Sequence, residues 1–175
     1  MKPVGNVEVI PATLQDETTY RNLFQFYLYE FSRFMGFITT NAGRFYEIDL
    51  DGCWTSANRY PFLIRADGNL AGLAMITQRE KSRYTGEANV MDLQEFFIMA
   101  AFQKRGIGRQ AAHEVFDMFP GRWEVFQLAR NTNAQVFWRK VVAAYTKGVY
   151  LERMVNDGDY VGVVQSFDNL PRRSS

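Results

Sequence analysis

Gln103-Lys104-Arg105-Gly106-Ile107-Gly108 constrains the fold of this chain more than any other stretch. It follows the apolar run Phe96-Phe97-Ile98-Met99 and precedes a helical pattern that runs to Phe119. A strand, a short basic loop with two glycines and a helix start together make a cradle for phosphate. Glycines let the backbone come close to an anion. The first-turn N–H groups of the helix have no partner inside it and point at that anion, with the helix dipole favouring negative charge. Lys104, Arg105 and Arg109 add positive charge at the same place. The expected ligand is a phosphorylated small molecule.

Bulk properties restrict the alternatives. A chain of 175 residues, 47% hydrophobic, is long enough for one domain with a substantial core. Residues 1–170 are expected to form that single domain, with 171–175 as a frayed tail. A net charge of +1 provides no global basic field, so no nucleic-acid partner is expected. Cys53 is the only cysteine, which excludes an intramolecular disulfide and points to a reducing, cytoplasmic compartment. With His113 the only histidine, a His/Cys metal site lacks ligands, and no metal is expected. No run approaches the ~20 apolar residues of a membrane span. Cys53 reads as a buried small residue and His113 as a solvated one.

Periodicity orders the elements. Val7–Ile10 reads as a strand. Thr13 and Asp16 match a helix-start signature of the capping-box type, and the stripe from Tyr20 to Met35 reads as a helix ended by Gly36. Residues 37–58 read as a loop or short second helix. Tyr60–Arg65 and Leu70–Gln78 form a hairpin about Asp67-Gly68. Arg79–Asn89 reads as a loop and Val90–Met99 as a central strand. A helix from Ile107, a strand over Trp123–Leu128, a helical stripe from Ala134 to Tyr145 and a terminal hairpin over Val149–Val155 and Tyr160–Phe167 complete the order. The predicted class is α/β: a mixed, mostly antiparallel sheet of six to seven strands flanked by helices.

Gly106-x-Gly108-x-x-Ala111 also fits a loose dinucleotide fingerprint. Six residues separate its first glycine from the strand, however, and the acidic residue expected at the tip of the next strand is replaced by Leu128-Ala129-Arg130-Asn131. The stretch instead resembles the GNAT superfamily of acetyl-CoA-dependent N-acetyltransferases, whose signature is Gln/Arg-x-x-Gly-x-Gly/Ala after the fourth strand. Asn131-Thr132-Asn133-Ala134-Gln135-Val136-Phe137-Trp138 matches a second family stretch, Asn-x-x-Ala-x-x-Phe-aromatic, one helix and one strand later. The resemblance implies the family's acyltransferase fold and acetyl-CoA as cosubstrate. The backbone of Phe97, Ile98 and Met99 would pair with the pantetheine arm where the central strand separates from the strand ending near Leu128. N–H groups of Gln103, Lys104, Arg105, Gly106, Ile107 and Gly108 would hold the pyrophosphate. Lys104, Arg105 or Arg109 would meet the outlying phosphates, and Asn131 and Ala134 the far side of the arm.

Acetyl transfer to an amine requires a base for the ammonium, donors for the thioester oxygen and, optionally, an acid for the thiolate. Backbone N–H groups near Ile98 are the expected oxygen donors. Glu95 is the expected base, because Phe96, Phe97 and Ile98 follow it; Asp92 is the second candidate, on the opposite face of a regular strand. A structural alternative pairs Glu95 with Arg79, Lys81 or Arg83. The family's usual tyrosine after the second motif's phenylalanine is Trp138 here, and an indole is no useful acid. Tyr145, seven residues on, is the remaining candidate, unless no acid is used. Tyr27, Tyr29, Glu30 and Trp54 would face the acceptor, since the family's first helix and following loop wall that site. The predicted activity is N-acetylation of a small amine by a monomer or homodimer; the alternative is a non-catalytic acyl-CoA-binding or sensor domain.

Overall fold

The computed structural model describes residues 5–46, 50–158 and 160–170. The elements run in chain order as follows: β1 (Val7–Pro11), α1 (Glu17–Met35), α2 (Gly52–Thr55), β2 (Arg59–Ala66), β3 (Asn69–Lys81), β4 (Ala88–Ile98), α3 (Ile107–Met118), β5 (Arg122–Leu128), α4 (Thr132–Thr146), β6 (Leu151–Asp157) and β7 (Tyr160–Asp168). The seven strands are ordered β1-β2-β3-β4-β5-β7-β6. β4 and β5 are parallel, while β1–β2, β5–β7 and β6–β7 are antiparallel. The α/β class with a mixed seven-stranded sheet and flanking helices is the architecture expected from the sequence. The expected tail, 171–175, lies outside the described residues.

Two compact units divide the chain. One takes in the residues up to Met75 together with Glu95–Ala111; the other takes in Ile76–Gln94 and Ala112 onward. In the first, Thr13 and Asp16 form the predicted capping box, but over a short 3-10 turn, Leu14–Asp16, that leads into α1. Gly36 ends α1 in the left-handed conformation, which glycine adopts without steric cost. The helix buries Tyr20, Leu23, Phe24, Tyr27 and Leu28 against Cys53, Leu63, Leu73, Met75 and Phe97. The Tyr20 hydroxyl donates to the Ala74 carbonyl at 2.9 Å, so the deepest polar group of this core is satisfied.

In the second unit α3 and α4 pack together. Phe116 meets Trp123, Tyr145 and Phe167 with ring centroids 4.9–5.0 Å apart. His113, expected to be solvated, is instead half-buried, with Nε2 3.0 Å from the Val141 carbonyl. The neighbouring helix, invisible to a single-helix reading, covers it. β3 and β4 also differ from expectation. Arg79–Lys81 is strand rather than loop, because Thr77 Oγ1 donates to Gln94 Oε1 at 2.7 Å and Arg79 Nε to Asp92 Oδ2 at 2.7 Å. These paired polar side chains give no apolar alternation by which the strand could be read.

Candidate functional site

The first unit contains the glycine loop. Phe97 and Ile98 end β4 buried, and the Met99 N–H donates to the Ala71 carbonyl at 2.8 Å. Gly72 makes this close approach possible. A Cβ there would sit 2.0 Å from the Phe97 carbonyl oxygen, inside any tolerable contact. A 3-10 turn over Ala100–Phe102 follows, and the Gln103 side chain donates back to the Ile98 carbonyl at 2.8 Å. The motif's glutamine therefore ties the loop to the strand it leaves.

Lys104 (φ 58°) and Gly106 (φ 82°) are both left-handed. These two turns fold the loop into the start of α3, whose first residue, Ile107, is fully buried and anchors the helix. The Gln110 N–H donates to the Gly106 carbonyl at 3.1 Å, opening the helical ladder. The N–H groups before it lie in the first turn, where an α-helix offers no internal acceptor. Lys104 and Arg109 are exposed. Arg105 is less free: its guanidinium lies 3.6 Å from Asp67 and over the Phe102 ring. First-turn amides beside two exposed cations suit a pyrophosphate.

Glu95 stands in the same unit, half-buried, three residues before Ile98. Its Oε2 accepts a hydrogen bond from the Tyr27 hydroxyl of α1. Of the other residues expected at the acceptor, Tyr29 is 62% exposed and Glu30 is paired with Arg33 at 2.6 Å. Trp54 packs edge-on to Tyr20, with its buried Nε1 unpartnered. The structure thus brings Tyr27 to Glu95 and sets Tyr29 and Glu30 in other surroundings.

The remaining candidates lie in the second unit. Asp92 is 1% exposed and forms an ion pair with Arg79. Burial pushes its carboxyl above the usual range, and the guanidinium partly offsets this. Arg79, considered above as a partner of Glu95, belongs to Asp92. Tyr145 donates from its hydroxyl to Asp117 Oδ1 at 2.7 Å and accepts from Asn169 Nδ2 at 3.4 Å. Burial, followed by the bond to Asp117, pushes its phenol up to about 12. Asn131 Oδ1 accepts from the Ala134 N–H at 3.1 Å, so Asn131 is the N-cap of α4. Sequence reasoning missed this cap, although asparagine is a favoured N-cap residue. Trp138, in place of the family's tyrosine, is buried.

The parallel β4–β5 ladder consists of Val90–Arg122, Met91–Trp123 and Asp92–Glu124. Its register pairs end at Asp92 and Glu124. Among the described residues, no group of three or more His, Cys, Asp or Glu suits a metal ion, and no helix is long and apolar enough to cross a membrane.

The sequence matches the family described as Acetyltransferase (GNAT) over residues 19–144. The structure is similar to an acetyltransferase from Thermus thermophilus, with 20% identity over 95% of this chain and 99% of that one and a TM-score of 0.65. It is similar to the spermidine N-acetyltransferase SpeG of Vibrio cholerae, in a variant form, with 12% identity over 93% of both chains and a TM-score of 0.59. A third similar structure is Mycobacterium smegmatis RimJ in complex with CoA-disulfide, with 14% identity over 95% of this chain and 84% of that one and a TM-score of 0.61. At these identities the likeness concerns the fold. No curated protein matches the sequence.

Proposed function

The chain belongs to the GNAT acetyltransferase family, and on that premise we propose that it transfers the acetyl group of acetyl-CoA to the amine of a small acceptor. Residues 1–170 act in this reading as a single acetyltransferase domain. The observation that carries it is the left-handed Lys104 and Gly106 pair, which turns a basic loop into the start of α3, downstream of Glu95.

First-turn N–H groups and the exposed Lys104 and Arg109 hold the phosphates, and the backbone of Phe97–Met99 meets the pantetheine arm. Acetyl-CoA supplies the thioester carbon, at which the C–N bond forms as the C–S bond breaks. Glu95 takes the proton that the acceptor amine must lose. An ammonium has no lone pair, so a base of this kind raises the reactive fraction of the acceptor near neutral pH. Asp92 is a weaker candidate, because its charge is already committed to Arg79. Tyr145 is a weaker acid candidate, because its proton is committed to Asp117. The thiolate therefore leaves without a dedicated donor. Primary amines are the acceptor class. Spermidine, named for the Vibrio cholerae relative, and neamine, named in acetylated form in a bisubstrate analogue bound to a further similar structure, are the first probes.

The test is CoA binding by calorimetry, followed by thiol release from acetyl-CoA across an amine panel. Gly108→Glu, which puts bulk and negative charge in the cradle, is expected to abolish CoA binding in a folded protein. Unchanged CoA affinity in that variant rules the cradle out. Tight CoA binding without thiol release from any amine would favour a sensor domain.

A further inference from the structure

Tyr27 lies on the buried face of α1. Its ring centroid is 5.3 Å from that of Phe24, 5.0 Å from Phe31 and 6.1 Å from Phe97. Three aromatic neighbours fix the ring plane, so packing rather than a flexible chain sets the hydroxyl position. That hydroxyl donates to Glu95 Oε2 across 68 residues of sequence. A glutamate side chain has three rotatable bonds, and a hydrogen bond from a packed donor restricts them.

We infer that Tyr27 is the positioning residue of Glu95: its packed phenol holds one carboxylate oxygen and so fixes the direction in which the group accepts a proton. The inference rests on the proposed role of Glu95 as the base. The donor's chemistry matters as much as its place. A guanidinium, such as the one Arg79 gives Asp92, stabilises the carboxylate by full charge and suppresses its basicity. A phenol adds direction without adding a full charge of its own. The bond also survives the reaction, because protonation on Oε1 leaves Oε2 a carbonyl oxygen that still accepts. The hydrophobic cluster that holds Tyr27 includes two further titratable side chains, Tyr20 of α1 and Cys53 of α2. The Tyr20 phenol is pushed up by its burial first, then by Cys53 and by the Glu95 charge, which places Glu95 within electrostatic reach of this core.

The deciding measurement follows the Glu95 titration directly and needs no acceptor. Full-length protein is labelled with carbon-13 at the glutamate carboxyls, and the Glu95 signal is assigned by its absence in Glu95→Gln. Tyr27→Phe keeps the ring and removes the donor. Glu95 is expected to titrate about one pH unit higher in that variant, as loss of a hydrogen bond to a charged group implies. The acid limb of acetyl transfer to spermidine should rise with it. An unchanged Glu95 titration in folded Tyr27→Phe overturns the inference, whatever the rate. If Tyr27→Phe does not fold, carbon-13 at the tyrosine Cζ in wild type decides. The Tyr27 signal must move at the midpoint of Glu95, and a flat signal is fatal. Full turnover in Glu95→Gln, with a shifted titration in Tyr27→Phe, would instead sink the base reading and leave the pairing intact.

Discussion

Asp92 and Glu95 stand three residues apart on β4, and their surroundings differ in almost every physical respect. Asp92 is buried, with a guanidinium on one oxygen, the other oxygen unpartnered, and Glu124 opposite it in the ladder. Glu124 in turn accepts hydrogen bonds from the hydroxyls of Ser82 and Thr85. Glu95 is half-buried, and its packed partner is a neutral phenol. In a regular strand, residues three apart fall on opposite faces. The difference teaches that proximity to a glycine loop does not by itself make a carboxylate a base. A full counter-charge and deep burial make Asp92 one half of a structural ion pair, which is why it has the weaker claim to the role of base in the proposed function.

The largest effect should separate these two residues in turnover. Glu95→Gln keeps the shape and removes the basicity, and its rate of thiol release at neutral pH should fall by ~10²–10⁴. The deficit should shrink at high pH, where free amine is abundant, and CoA affinity should persist. Asp92→Asn should act on stability with far less effect on turnover. The reverse ranking would exchange the roles assigned to the two residues.

The ion pair is next. Arg79→Met leaves the Asp92 carboxylate buried without its cation, which should cost about 3 kcal/mol in urea unfolding at neutral pH, the low end of the range because Arg79 is partly exposed. Asp92's folded pKa already lies above its unfolded value. Its favourable contribution is therefore complete below the ordinary carboxylate range and is lost as pH rises through the raised folded value. Arg79 moderates that loss, so wild type and Arg79→Met should converge at acid pH and diverge as pH rises. A gap independent of pH would show that Arg79 stabilises through its aliphatic stem alone.

Two glycines extend the comparison to the two units. A Cβ at Gly72 would meet the Phe97 carbonyl at 2.0 Å, and one at Gly162 would meet the Gln127 carbonyl at 2.1 Å. Each alanine variant should lose about 1–3 kcal/mol through forced backbone shifts. Only Gly72→Ala displaces the end of β4, so only it should also weaken CoA binding by calorimetry. Equal CoA affinity in the two variants would separate the cradle from the β4 terminus.

Much of this fold was legible because periodic apolar patterns mark most of its elements. The helix from Ile107, the strand to Leu128 and the terminal hairpin all lie within two residues of their predicted bounds. Arg79–Lys81 was not legible, since a strand whose side chains satisfy one another looks like a polar loop. The turn of the glycine loop into α3 was legible because its conformation is local: left-handed residues and a helix start lie within a few residues of one another. The Tyr27–Glu95 bond was not, because no local rule joins residues on a helix and a strand so far apart in sequence. Tyr27 could be placed only on an aromatic stripe, whose period reports a buried face and not what the hydroxyl touches.

The smallest expected effect concerns Tyr145, and it decides whether the second unit supplies a proton. The Tyr145 hydroxyl donates to Asp117 and accepts from Asn169, and its ring packs on His113, Phe116 and Phe167. Tyr145→Phe keeps the ring and removes one oxygen, so stability should fall by only about 0.5–1 kcal/mol, the usual net value of a hydrogen bond. Because the folded phenol titrates at about 12 against an ordinary 10.0, its contribution is complete below pH 10 and lost as pH rises toward 12. Wild type should therefore lose more stability than Tyr145→Phe across that alkaline window. Thiol release should be unchanged by the substitution, since a thiolate is a tolerable leaving group and this proton is already engaged. A fall in turnover of ~10²-fold or more, the scale of a lost general acid, would make Tyr145 the donor that Trp138 cannot be.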